Sequence, residues 1–263
     1  MTRTTAGNLW LLLFALSFTA STLIFRAAGK FDIRPLILLQ GGLAVGAILV
    51  LPFCIRRLIL SSVPVSKTII RDLVVLILCE AIVPYWLQIE GLRHTTATKS
   101  GIILTLIPVI TMVLSKLILK RTPSKSLIFN IFGMVCGGIL ISYEGKVAGI
   151  NAGDWMIFGS ACSLALAAVI THRLVEEWPS EVILQVRMIG GFIFLLPITL
   201  SMEPLTAWSH PNLTMFILGS GFFLSLFTIS IYEGIRLMGP EYAVLYDIVA
   251  ALMTALGAYL LWG

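Results

Sequence analysis

Two carboxylates lie inside long apolar runs, where carboxylates are rare. Glu80 sits in Leu78-Cys79-Glu80-Ala81-Ile82 and Asp247 in Leu245-Tyr246-Asp247-Ile248. A charge deep in a membrane span costs roughly 2.5–3.5 kcal/mol on insertion scales, so such a group is functional or paired. Glu80 reads two ways with equal weight. It is a cavity carboxylate that binds a cationic group or carries a proton, or it is the structural partner of a basic residue on a neighbouring helix. Asp247 has the tyrosines Tyr242 and Tyr246 close in sequence. Tyr85, Trp86 and Gln88 follow Pro84, whose ring removes one backbone donor and frees a carbonyl, and broken spans of this kind often border a cavity. Lys99 opens another apolar run and could meet an anionic group, and Tyr232 ends a third. The candidate solute-binding set is therefore Glu80, Tyr85, Trp86, Gln88, Lys99, Tyr232, Tyr246 and Asp247.

Other notable residues have plainer readings. Lys116 can snorkel to an interface, and Arg187 and Arg26, near span ends, read as interfacial anchors. The histidines His94, His172 and His210 are far apart and also near span ends, so they read as interfacial. Cys54, Cys79, Cys136 and Cys162 each lie within or beside an apolar stretch, form no CxxC, and read as small buried hydrophobes. No Walker, GxSxG or HExxH motif occurs, and no His/Cys cluster, so neither a catalytic residue, a metal ligand nor a cofactor is expected.

These groups need elements to hold them. Only 12% of the 263 residues are charged and 58% are hydrophobic, whereas soluble domains carry about 25% charged residues. Lipid must therefore be the solvent. A helix needs roughly 20 mostly apolar residues to span a bilayer, and nine stretches qualify: 9–28, 35–54, 72–89, 96–118, 127–143, 154–173, 182–202, 212–232 and 240–262. The first is too long for a signal-peptide core and reads as a retained span. The runs are continuous, not alternating, which excludes a β-barrel. The formal net charge of +5 is scattered between spans and forms no stripe, so no nucleic-acid partner is expected. With the N-terminus cytoplasmic, twelve Lys and Arg fall on that side and six on the other, which favours this orientation.

The chain also repeats itself. Glu90-Gly91-Leu92-Arg93 recurs as Glu233-Gly234-Ile235-Arg236. Gly7 and Ser17 match Gly153 and Ser163, Arg26 falls opposite His172, and Gln40 opposite Arg187. The spans opened by Gln40 and Arg187 end at Pro52 and Pro197, and the offsets drift only from 147 to 143. Asp247 lies one offset from Leu104, so it is not a duplicated structural element. The expected units are residues 1–147 and 148–263. A unit of five spans is odd, so its second copy enters the membrane inverted, as in many secondary carriers.

The stretch Glu90–Arg121, EGLRHTTATKSGIILTLIPVITMVLSKLILKR, resembles the EamA branch of the drug/metabolite transporter superfamily. The shared pattern is an aromatic-rich third span, the turn Gly91-Leu92-Arg93-His94-Thr95-Thr96-Ala97, and a small-residue span with a mid-span proline, Pro108. Tyr232–Gly263 resembles the same element in the second half. The resemblance implies an all-α, ten-span fold of two inverted five-helix repeats, and a carrier for a small metabolite, amino acid or drug-like solute working by alternating access. Three departures stand out. The Glu-Pro pair often found in the fourth span of each repeat is Ile107-Pro108 and Ala250-Ala251 here. Gln40 replaces an arginine whose counterpart is Arg187. The chain also stops at Gly263, where the family enters a tenth span, so a fragment is expected.

The expected partners are a small-molecule substrate, membrane lipid and a coupling proton, and a homodimer is compatible with the chain. The expected location is the bacterial inner (plasma) membrane, with spans one, three, four, six, eight and nine around a midplane cavity. The rival readings are a membrane-embedded enzyme or lipid-handling protein, which would need clustered His, Asp or Ser at a membrane face, and a structural subunit, for which the short loops leave little surface.

Overall fold

The computed structural model describes residues 2–60, 65–122, 125–142 and 149–262. The boundary expected at 147/148, the outer-side Lys146 and the chain end at Gly263 lie outside these residues. Within them the fold is all-α, with no strand. The helices are α1 (Arg3–Gly29), α2 (Pro35–Leu60), α3 (Lys67–Leu76), α4 (Val83–His94), α5 (Ala97–Leu104), α6 (Ile107–Ile118) and α7 (Lys125–Ser142). They continue as α8 (Ala152–Glu177), α9 (Ser180–Met202), α10 (Leu213–Met238), α11 (Pro240–Ala243) and α12 (Leu245–Trp262). Among the described residues, eight helical stretches are long and apolar enough to cross a membrane: α1, α2, α3–α4, α5–α6, α8, α9, α10 and α11–α12. The fifth expected span, 127–143, coincides with α7 as far as Ser142.

Three of the crossings are broken. Between α3 and α4 the residues Ile77–Ile82 form a π-helical turn, in which the Val83 N–H donates to the Leu78 carbonyl. In that register the next donor, opposite the Cys79 carbonyl, would be Pro84, which has no N–H. The Ser163 hydroxyl of α8 donates to Cys79 O instead, at 3.1 Å. The freed carbonyl is thus satisfied across helices, as a bilayer requires. Between α5 and α6 the chain tightens at Thr105-Leu106, and the Thr105 hydroxyl donates back to Ile102 O at 2.7 Å. Pro108 falls in the first turn of α6, where its missing donor costs nothing. The last crossing turns at Gly239, whose φ of +100° suits glycine, and breaks again at Val244.

Helix packing explains the duplicated glycines. Each EGxR glycine lies where the third crossing of its half meets the first helix of the other half. A Cβ on Gly91 would touch Ile157 of α8 at 2.9 Å, and a Cβ on Gly153 would sit 2.5 Å from Gly91 O. In the other copy a Cβ on Gly234 would run into Leu11 of α1, and one on Gly7 into Met238. The second helices also meet. Gln40 of α2 is fully buried; its amide donates to Phe192 O of α9 at 3.0 Å and its Oε1 accepts from Thr199 at 3.4 Å. Gly42 and Gly46 of α2 face Ser220 and Ser225 of α10 at Cβ distances of 2.9 and 2.7 Å, so this pair of glycines is a packing notch. Gly133 and Gly137 of α7 have nothing within 4 Å of a built Cβ.

Ion pairs mark the two ends of the bundle. At one end Arg57 meets Glu181 (2.9 Å), Arg173 meets Asp72 (3.2 Å), and Arg3 donates to Arg236 O (3.2 Å). At the other end Arg34 meets Glu203 (3.7 Å), Lys99 meets Asp154 (3.3 Å), and Gly153 packs on the backbone of Gly91 and His94. Arg93 and Arg236, the last residues of the duplicated tetrapeptide, therefore stand at opposite ends. The arginines close on the carboxylates of their own tetrapeptides, Arg93 on Glu90 at 3.0 Å and Arg236 on Glu233.

Candidate functional site

A cavity of about 600 Å³ lies among the broken crossings. Its walls come from α1, α3–α4 with the π-turn, α5–α6, α8, α10 and α11–α12, the crossings anticipated from sequence, and from α9 through Arg187. The volume is within the range of small-molecule sites, roughly 300–1,000 Å³. Most of the wall is apolar, with polar groups concentrated at few points.

The main polar point is built on glycine. Gly190 and Gly191 of α9 leave room for the π-turn: a Cβ on Gly190 would strike Ile77, and one on Gly191 would sit 3.2 Å from the Ala81 methyl. Arg187 lies three to four residues before these glycines, on the same face of α9. Glu80 lies between Ile77 and Ala81, so the two charges are delivered to one spot. Arg187 Nε stands 2.9 Å from Glu80 Oε1, with side chains only 4% and 17% exposed. The Tyr232 hydroxyl of α10 donates to the other carboxylate oxygen, Oε2, at 2.8 Å. Arg187 Nη1 donates weakly to Thr228 at 3.4 Å. The Nε–H is not aligned with any acceptor as a hydrogen bond, so the ion pair rests on charge more than on fork geometry. Glu80 belongs to the first half of the chain, Arg187 and Tyr232 to the second.

Five of the eight candidate residues line this cavity: Glu80, Tyr85, Gln88, Tyr232 and Asp247. The amide of Gln88 donates to Ser160 Oγ of α8 at 2.8 Å. Tyr232 is 1% exposed. Asp247 lies on the stripe of α12 that continues through Ala251 and Ala255, all facing the cavity.

The other three are elsewhere. Trp86 is 53% exposed on the outside of α4, because the helix turns about 100° between Tyr85 and Trp86. Lys99 is spent at the end of the bundle, donating to Gly149 O (2.7 Å) and pairing with Asp154, which also accepts from Thr95 and caps α8 through Asn151. Tyr246 points away from its neighbour Asp247. Its hydroxyl donates to Asn8 Oδ1 at 3.3 Å, and its ring borders a separate surface hollow with Phe129, Asn130 and Gly133.

One expectation about a basic residue is corrected. Arg187 is not an interfacial anchor. It is 3% exposed in the centre of the bundle, because Glu80 compensates its charge there. His172, beside Arg173 near that residue's end of the bundle, is 3% exposed, with Nδ1 3.3 Å from Ile235 O and Nε2 3.2 Å from Glu176. Sequence reasoning also passed over Phe14, Phe18 and Phe227 as wall residues. Their rings meet at 5.4–6.3 Å, and an aromatic in an apolar helix carries no signal that separates lining from packing. Among the described residues no group of three or more His, Cys, Asp or Glu could hold a metal ion.

The comparisons agree with the fold. The EamA-like transporter family matches residues 5–143 and again residues 151–263. A relative from Bacillus subtilis (strain 168), YyaM, named as an uncharacterized transporter, is 28% identical over 131 residues. That match takes in 45% of this chain and 43% of the relative, so it spans less than half the length of either. A crystal structure described only as that of a protein superposes with a TM-score of 0.66 at 13% identity, over 98% of this chain and 96% of its own. At that identity the likeness concerns the fold alone.

Proposed function

The chain belongs to the EamA-like transporter family and is an integral membrane protein; from that premise we propose that it is a secondary carrier working by alternating access around the central cavity. One observation carries the reading: the cavity's polar centre is an ion pair with one partner from each half, Glu80 and Arg187. Relative movement of the halves would strain or break that contact, so the pair is placed to respond to which side is open. The exchange of partners between the halves, α1 on α10 and α8 on α4, supports two inverted repeats, as do the two separate family matches. The substrate is a small metabolite, amino acid or drug-like solute, contacted by Glu80, Tyr85, Gln88, Tyr232 and Asp247. Purified protein in liposomes should show saturable uptake and counterflow of such a solute. Product formation without uptake would replace the carrier with an enzyme.

The end of the bundle that holds Arg3, Arg57, Arg173 and Arg236 also carries Arg56, Lys67 and Arg71 near the α2–α3 connection. This bias supports a cytoplasmic N-terminus in an inner membrane. With the native cysteines replaced, a single cysteine at Arg93 is expected to react with an impermeant maleimide in intact cells, and one at Arg236 only after the membrane is opened. Labelling from the same side would remove the inverted arrangement.

Coupling to a proton would run through Glu80 or Asp247, the two carboxylates of the cavity. Glu80→Gln or Asp247→Asn is expected to abolish gradient-driven uptake while exchange measured at saturating solute persists. Gradient-driven uptake that survives in both variants would exclude this coupling.

A further inference from the structure

The charges that line the cavity do not cancel. Glu80 and Arg187 neutralise each other at 2.9 Å, which leaves Asp247 as the third and unmatched charge on the wall. Among the described residues Asp247 has no ion-pair partner and no hydrogen-bond donor to its carboxylate. An ionised carboxylate in such surroundings is expensive until a counter-charge arrives. Arg187 cannot serve an anionic solute unless that solute first displaces Glu80, whose second oxygen is also held by Tyr232. The rest of the wall suits a charge carried on an apolar body. Phe14, Phe18 and Phe227 form a contiguous ring cluster, and Ala251 and Ala255, one and two turns beyond Asp247, leave room beside the carboxylate. Phenyl faces attract a cation and not an anion.

We propose that the cavity selects organic cations, an ammonium or comparable onium group on an apolar or aromatic body, with Asp247 as its counter-charge and the Phe14–Phe18–Phe227 cluster as its apolar seat. The proposal rests on the carrier reading for its transport consequence, while binding itself can be tested without transport. The Glu80–Arg187 pair contributes no net charge and is not the cation site.

The test uses the detergent-purified full chain and two probes of similar shape and opposite charge, radiolabelled benzyltrimethylammonium and phenylmethanesulfonate. Saturable binding of the cation is expected, with the anion bound at least tenfold more weakly. Asp247→Asn should lower cation affinity at least tenfold. Equal or tighter binding of the anion by the unaltered protein overturns the proposal, and this comparison does not depend on any variant folding. Undiminished cation binding by a folded Asp247→Asn protein overturns it as well. Counterflow in liposomes separates the two readings. Exchange of an anionic solute without exchange of the cation overturns the cation site and leaves the carrier standing. Cation binding lost in Asp247→Asn, with no solute exchanged at all, supports the site and removes the carrier.

Discussion

Arg187→Met is expected to be the most damaging single substitution in the cavity. It leaves Glu80 buried at 17% exposure with only Tyr232 as a donor. Removing one partner of a buried ion pair costs about 3–5 kcal/mol, because the remaining charge has lost its compensation. Thermal unfolding in detergent should show a large fall in midpoint, and solute exchange should be lost. Adding Glu80→Gln removes the stranded charge, so the double variant should recover more than half of the lost stability. The recovery is the informative part. If the double variant is no more stable than Arg187→Met, the two residues do not act as a compensated pair, and the polar centre of the cavity has been misassigned.

The second large effect is expected at Gly153. Its built Cβ lies 2.5 Å from the Gly91 carbonyl oxygen and 2.9 Å from two atoms of His94, so even alanine presses on backbone. Backbone cannot rotate aside as a side chain can, and α8 must retreat from α4, weakening the Ile157–Gly91 contact in the same crossing. Overpacking costs typically about 1–3 kcal/mol, and Gly153→Ala should fall in the upper part of that range. Gly7, its counterpart in the first half, meets the flexible end of Met238 instead, so Gly7→Ala should cost clearly less. Gly133→Ala, with open space around it, should be neutral or slightly stabilising. Equal losses at Gly7 and Gly153 would contradict this account of the crossings.

The two substitutions probe different layers of one design. Gly153 holds the halves against each other at one end of the bundle, while Arg187 joins them at the centre. Gly7 and Gly153 also meet different neighbours in the fold. One faces a methionine side chain and the other a carbonyl. In the second helices of the two halves, Gln40 is a neutral brace between α2 and α9, while Arg187 is the cation of the cavity.

Composition and run length alone determined that this chain is a polytopic helical membrane protein, because no water-soluble core could absorb so much apolar surface. Spacing then marked Glu80 and Asp247 as exceptional, and the EGxR duplication marked the two halves. Periodicity along one helix cannot say which neighbour a side chain meets. Only the tertiary structure decided that Glu80 answers Arg187, that Lys99 is consumed by Asp154, and that Trp86 and Tyr246 turn away from the cavity where Tyr85 and Asp247 turn in. In a bundle where nearly every residue is apolar, helix rotation is set by contacts such as the Gly190–Ile77 notch. Those contacts join residues more than a hundred positions apart, beyond the reach of any local pattern.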